Sequence, residues 1–286
     1  MVLVLFLPNF NKGFSKMISK ALNIAKRVSG YIVAKYMHFK TDAYIISHPD
    51  SGRNWLRVLI GKTLCEKFNI PDEIMLDIYK VTSLAGILRT QVIHDHSSYT
   101  EGYKYYYLPT DKREYARKKV IFLVRNIKDI LVSYYFQVNR REGNFTGSIS
   151  DFIRSDKYGV NKIINFYNIW YENRTIPKEF LLLRYEEMHK NTEEVLARTL
   201  KFLGLDEVDY HIIRKAVKFA SFSNMKKMEK DNFFKRKAIR PVNINDDDSY
   251  KVRRGIVGGY YNYLSEEDIK YIDQVIKERG CPFEQI

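Results

Sequence analysis

The chain has 286 residues, 45% of them apolar; that is enough for one large domain or two small ones, with a full core. Lys and Arg outnumber Asp and Glu by 48 to 34, a net charge of +14, which suits phosphate, sulfate, anionic lipid or nucleic acid, or simple solubility. Two cysteines exclude a disulfide framework and fit a reducing, cytoplasmic compartment; no apolar run reaches the roughly 20 residues of a spanning helix.

The opening "MVLVLFL" is too short for a secretory signal, and its basic residues follow rather than precede it. Residues 11–36 then read as a basic amphipathic helix. Phe14, Ile18, Ala21, Ala25, Val28 and Ile32 recur at helical spacing, with Lys16, Lys20, Lys26 and Arg27 on the other side. Two readings stand: peripheral contact with an anionic membrane surface, or a helix packed on the protein with a solvated face. Residues 1–40 are read as this appendage and 41–286 as one domain.

The domain alternates two kinds of segment. "AYIIS" (43–47), "TQVIH" (90–94), "KVIFLVR" (119–125) and "EFLLLRY" (179–185) are short apolar runs that suit strands buried on both faces. Helical patterns occupy 54–68, 128–140, 160–173, 192–203 and 265–279. The alternation predicts an α/β fold, a single domain with a central parallel sheet flanked by helices. Residues 220–255 are highly charged and show few apolar positions in any period, which predicts a long irregular loop. Within it "NDDD" (245–248) lacks the alternating spacing of a calcium loop and reads as a solvated turn.

Three stretches fit anion sites. In "SHPDSGRNW" (47–55) a turn joins a strand to a helix. Gly52 permits close backbone approach, Ser51 offers a hydroxyl, and the helix start directs free N–H groups at the turn. It is not a nucleotide-triphosphate loop: eight residues separate Gly52 from Gly61, where that loop needs four, so "GKT" at 61–63 carries nothing. In "FLVRNIKDILVSYYF" (122–136) a strand ends at Arg125. Asn126 can cap the next helix with Asp129 at its third position, and Ser133 follows two turns on. In "KVRRGIVGGYYNYLSEED" (251–268) two arginines precede a glycine-rich turn.

Together these stretches resemble the sulfotransferases that use 3′-phosphoadenosine 5′-phosphosulfate (PAPS). The family signatures read approximately "YPKSGTTW" or "YPRSGNTW", "RNPKDVxVSYY", "YEDM" and "RKGxxGDW". This chain shows "HPDSGRNW", "RNIKDILVSYY", "YEEM" and "RRGIVGGY" in the same order. The resemblance covers about residues 43–280 and implies a P-loop-kinase-like sulfotransferase fold. It implies that the backbone of Ser51, Gly52, Arg53 and Asn54 holds the phosphosulfate end and that Trp55 stacks on adenine. Arg125 and Ser133 match the pair on the 3′-phosphate. Tyr185, with Phe222 and Met225 of "SFSNM", matches the adenine pocket, and Arg253, Arg254 and Gly255 match the closing 3′-phosphate loop. The 220–255 segment would then close over the nucleotide as a lid.

On the acceptor side the resemblance implies a His general base after the second strand. His94 of "VIHDHSSY" matches better than His96, and an imidazole suits removal of an alcohol proton. Sulfuryl transfer would be an in-line attack by an acceptor hydroxyl or amine, releasing adenosine 3′,5′-bisphosphate (PAP), with no metal required. Three positions depart from the family. Asp50 stands where it carries Lys or Arg, Tyr260 replaces the last Trp, and Val92 stands at a frequent second Lys. Since one transition-state donor is worth about 3–4 kcal/mol, two readings follow: Arg53 replaces the missing cation, with Arg57 a weaker candidate, or the chain is a catalytically impaired relative that binds nucleotide or anionic lipid. The acceptor is open. It could be a small molecule, a lipid or a saccharide: the Tyr-rich 97–109 can line a pocket or simply pack, Asp50 and Asp95 would favour a cationic acceptor, and the basic N-terminal segment would favour a lipid-linked one at a membrane. The dispersed charge and lack of a base-reading module argue against nucleic acid.

Overall fold

The computed structural model describes residues 29–98, 103–207, 209–236 and 239–285. The chain divides into two compact units, residues 1–41 and 42–286. In the first, residues 29–40 are helical; most of the amphipathic 11–36 segment lies outside the described residues. No helix among the described residues is long and apolar enough to cross a membrane.

The second unit is built on strands β1 (Ala43–Ser47), β2 (Thr90–Ile93), β3 (Lys119–Val124) and β4 (Glu179–Arg184). They form one all-parallel sheet in the order β2-β1-β3-β4. The helices are α1 (Arg53–Phe68), α2 (Ile78–Leu84), α3 (Ile127–Phe136), α4 (Ile149–Arg154), α5 (Val160–Glu172), α6 (Tyr185–Lys190), α7 (Thr192–Phe202), α8 (Tyr210–Phe219), α9 (Phe222–Lys230) and α10 (Glu266–Arg279), with a last turn at Pro282–Gln285. The period-2 pleat sends alternate strand residues to opposite faces. Tyr44, Ile46, Val120, Phe122 and Val124 join the core cluster that includes residues of α3, α5 and α10. Ala43, Ile45, Ile121 and Leu123 join the other, with α1, α7 and α8. Both faces of the central strands β1 and β3 are covered, which is why they read as nearly unbroken apolar runs; the edge strands β2 and β4, expected to be buried as well, are only partly so.

Two expectations are corrected. The pattern at 128–140 is α-helical only to Phe136; Gln137–Arg141 widens into a π-turn, a device often found beside functional sites. The segment 220–255 is not irregular throughout, since α9 occupies its start and buries Met225, Met228 and Glu229. These lie at i, i+3 and i+4 on one face. Glu229 hid the period, because a carboxylate is not read as a core position.

Two backbone features place the end of β2. His94 is followed by Asp95 and His96, both with positive φ (45° and 68°), so the chain turns sharply there. Asp95 is buried against Lys112 at 2.7 Å, with side-chain exposures of 1% and 2%. It also accepts from Tyr115 Oη at 2.9 Å and Trp170 Nε1 at 2.8 Å. A buried carboxylate so placed needs every one of these partners. Replacing Lys112 with Met should lower the unfolding free energy by about 3–5 kcal/mol in urea titrations, and adding Asp95→Asn should recover most of it. A single-variant loss below about 1 kcal/mol would show that the pair does not hold this turn.

Candidate active site

The strand order reverses at β1, which pairs with β2 on one side and β3 on the other. The crevice beyond the carboxyl end of such a strand is where open parallel sheets hold ligands. There the structure opens a cavity of about 800 Å³.

The turn after β1 forms its floor. Gly52 sits at φ 93° and a Cβ there would lie 2.3 Å from Cδ2 of Tyr185, so glycine is required both by conformation and by contact. Helix α1 starts at Arg53 with no acidic residue in its first turn, leaving its N–H groups and positive end uncompensated. Ser51 is fully buried, and its Oγ has no partner among the described residues. Arg53 and Asn54 line the cavity. Burial draws the Arg53 guanidinium down to about 10, still charged at neutral pH. Among the described residues it has no hydrogen-bond or ion-pair partner. Arg57 is committed elsewhere, donating to the Leu76 carbonyl and, at 3.4 Å, to Asn54 Oδ1.

Arg125 sits at the end of β3, its backbone locked by Tyr167. The Arg125 N–H donates to Tyr167 Oη at 2.9 Å, and that hydroxyl donates to the Arg125 carbonyl at 3.0 Å. The guanidinium donates to the Asp50 carbonyl at 3.0 Å, Ser133 Oγ at 3.3 Å and the Ile256 carbonyl at 3.4 Å, and lies 4.3 Å above the Tyr185 ring. Its Nε has no partner among the described residues. Arg125 therefore joins the β1 turn, α3 and the closing loop.

Two buried carboxylates fix that loop. Asn126 does cap α3, accepting from the N–H groups of Lys128 (3.1 Å) and Asp129 (3.3 Å). Asp129, however, points across to accept from the N–H groups of Gly258 (2.7 Å) and Tyr260 (3.1 Å). Glu229 accepts from the N–H groups of Lys251 (2.6 Å) and Val252 (2.7 Å). Between them, Arg253 donates to Tyr263 Oη at 2.7 Å and stacks 4.2 Å above Phe136. Arg254 is exposed at the rim of the cavity. Gly255 has φ 62°, and a Cβ there would lie 2.4 Å from Cδ2 of Phe222.

The flat end of the cavity is aromatic. Trp55 Nε1 donates to the Ala220 carbonyl at 3.0 Å, and its ring lies 6.0 Å from Tyr185 and 4.8 Å from His189. Phe222, 42% exposed, and buried Met225 line the same space. At the other end His94 Nδ1 donates to the Ser47 carbonyl at 2.9 Å, which leaves Nε2 as an acceptor. Burial, reinforced by the charge of Arg53, holds the imidazole well below its ordinary 6.5.

The residues matched to the nucleotide and the base, from Gly52 to Gly255, line this one cavity, with Ser51 in the turn beside them. The residues that sequence reasoning missed are Lys251, Gln137, Asp129 and Glu229 in their roles here. Lys251 Nζ lies 2.5 Å from Asp50 Oδ1 and 2.9 Å from Gln137 Oε1; as the first residue of "KVRRG" it had a signal in the sequence. Two expectations fail with it. Asp95 lies under the site in its pair with Lys112, and Asp50 is neutralised by Lys251, so neither is a free carboxylate for a cationic acceptor. In "NDDD", Asp246 accepts from the Asp248 N–H at 3.1 Å, a local turn.

Residues 40–280 match the family model described as the sulfotransferase domain. The flavonol 3-sulfotransferase of Flaveria bidentis is 24% identical over 257 residues, 83% of this chain and 81% of that protein. Sulfotransferase 2A1 of Macaca fascicularis is 26% identical over 258 residues, 83% and 84% of the two chains. Among solved structures, mouse sulfotransferase SULT7A1 complexed with PAP superposes with a TM-score of 0.56 at 27% identity, covering 84% of each chain. With its motifs gathered at one crevice and the family model matched over nearly its whole length, this chain belongs to the sulfotransferase family.

Proposed function

We propose that the enzyme moves the sulfuryl group of PAPS to a hydroxyl of a small organic acceptor. The observation that carries this is the pairing of a base with an anion turn in one cavity. His94 is fixed through Nδ1 with Nε2 left to accept a proton, beside a helix start that carries Arg53 and no acid. The residues fit the nucleotide. The orphaned Ser51 Oγ and Arg125 Nε are buried donors, and the glycines at 52 and 255 leave room that a Cβ would fill.

In this reading Arg125 and Ser133, with Arg254 at the rim, hold the 3′-phosphate. Trp55, Tyr185, Phe222 and Met225 enclose the adenine. The N–H groups of residues 51–54 hold the phosphosulfate. When bound, PAPS supplies an activated sulfuryl group whose bond to phosphate breaks as the acceptor oxygen bonds to sulfur, with the electron pair leaving on the phosphate. His94 Nε2 takes the acceptor's proton, and Arg53 sets positive charge against the turn. Rate then comes from positioning and fixed charge. The relatives named for flavonols and hydroxysteroids support a phenol or alcohol as acceptor. The two buried, unpaired cysteines suit a cytoplasmic location.

Arg125→Met should weaken PAP binding by about 100-fold in calorimetry while ADP, which lacks the 3′-phosphate, changes by less than about tenfold. Equal losses for both nucleotides would remove Arg125 from the 3′-phosphate. His94→Asn should lower kcat by about 10²–10⁴-fold and leave the PAP dissociation constant within about threefold. Burial and Arg53 disfavour the imidazolium, so the neutral, base-competent form persists to lower pH than usual. The acidic limb of kcat/KM for sulfation of a flavonol or 3β-hydroxysteroid should therefore fall below 6.5. A limb at or above that value would mean another group is the base.

A further inference from the structure

Asp50 puts a carboxylate in a turn that has every other mark of an anion site. Its main-chain φ of 62° is one an aspartate tolerates, and its carbonyl accepts from Arg125. Its carboxylate is answered from a distant part of the chain, because Lys251 crosses from the closing loop to place Nζ 2.5 Å from Oδ1. The pair is largely enclosed, with side-chain exposures of 20% for Lys251 and 8% for Asp50.

Three further observations make Lys251 more than a counter-ion. Its backbone is pinned by Glu229, which accepts its N–H at 2.6 Å. Gln137, at the start of the π-turn, accepts a second Nζ hydrogen at 2.9 Å. An ammonium carries three hydrogens, so one remains, with no partner among the described residues, on a side chain that lines the same cavity as Arg53, His94 and Arg125. Its charge is also felt at the His94 ring.

We infer that Lys251 is a nucleotide-contacting residue whose free N–H hydrogen-bonds the 5′-phosphate of PAPS, held over the turn by Asp50 and Gln137. This rests on the sulfotransfer reading above and deepens it. As the sulfur–oxygen bond breaks, the electron pair stays on the phosphate oxygen, and the ammonium opposite neutralises it. The charge order is inverted: the cation comes from the opposite wall and the turn supplies the tether. Arg53 acts from the helix side, next to His94.

A test needs no acceptor. The dissociation constants of PAP, which has a 5′-phosphate, and of adenosine 3′-monophosphate, which lacks it, are measured by calorimetry, with melting temperatures as the control for folding. Lys251→Met should weaken PAP by about 10–100-fold and adenosine 3′-monophosphate by less than about threefold; Lys251→Arg should restore most of the difference. The double variant Asp50→Asn/Lys251→Met leaves no unpaired charge behind and keeps the test open should the single variant fold poorly; it too should lose the preference for PAP. An unchanged PAP preference in Lys251→Met, or a wild-type preference regained in the double variant, would overturn the assignment and leave Lys251 a counter-ion of Asp50. Wild-type protein that binds neither nucleotide would instead defeat the sulfotransfer reading, and this assignment with it.

Discussion

The site depends on how residue 50 is held. Its carbonyl accepts from Arg125 at the end of β3, and its carboxylate accepts from Lys251 of the closing loop. One residue of the β1 turn is thus tied to two elements that are distant in sequence. The tie resolves a problem that any polyanion site poses. Arg53, Arg125, Lys251 and Arg253 converge on one cavity, and like charges brought together with little water between them repel strongly. The protein places carboxylates among them: Asp50 on Lys251, Asp248 at 3.4 Å from Arg253, and Glu229 at 3.3 Å from Arg141. Arg53 and Arg125 are left without a carboxylate; Arg125 donates to two carbonyls and a hydroxyl, whereas Arg53 has no hydrogen-bond partner among the described residues, which makes it the cation most ready to meet an incoming anion.

The same carboxylates set the shape of the site. Glu229 takes up two N–H groups at the start of the closing loop and Asp129 takes up two near its end. Unsatisfied N–H groups in such a loop would cost about 1–3 kcal/mol each, so the loop has a strong reason to adopt this path. Arg253 is then held between Phe136 and Tyr263, and Arg254 is left outward at the rim.

Most of the fold was legible because β1, β3 and β4 are apolar along most of their length and α5, α7 and α10 carry a helical period, while α1 is a long run buried nearly all round. Most elements that escaped are short or polar; α8, ten residues long with Ile213 and Ala216 buried on one face, escaped without either reason. α2, α4 and α6 have six or seven residues each, too few for a period to stand out. α9 was hidden by Glu229, whose burial is bought by hydrogen bonds formed with residues twenty and more positions away. The residues that gather at the cavity were singled out by motif resemblance. Their support was not, since Asp129 looked like a helix-start acid and no spacing marked Lys251 as the partner of Asp50. What each touches is decided by tertiary neighbours that sequence spacing does not encode.

Asp50 therefore does not by itself argue for lost chemistry. A carboxylate facing a phosphate unaccompanied would repel it; one bonded to an ammonium presents a dipole whose positive end is set by the tether. With Asp50 as its tether, the cation over the turn is carried by another chain segment. Such an arrangement is tolerated only where both partners are fixed. Here Lys251 is fixed by Glu229 and Gln137, and the Asp50 backbone by Arg125. In the proposed reading the turn and the closing loop act as one binding surface, and the preorganisation that sulfuryl transfer needs comes from their mutual grip.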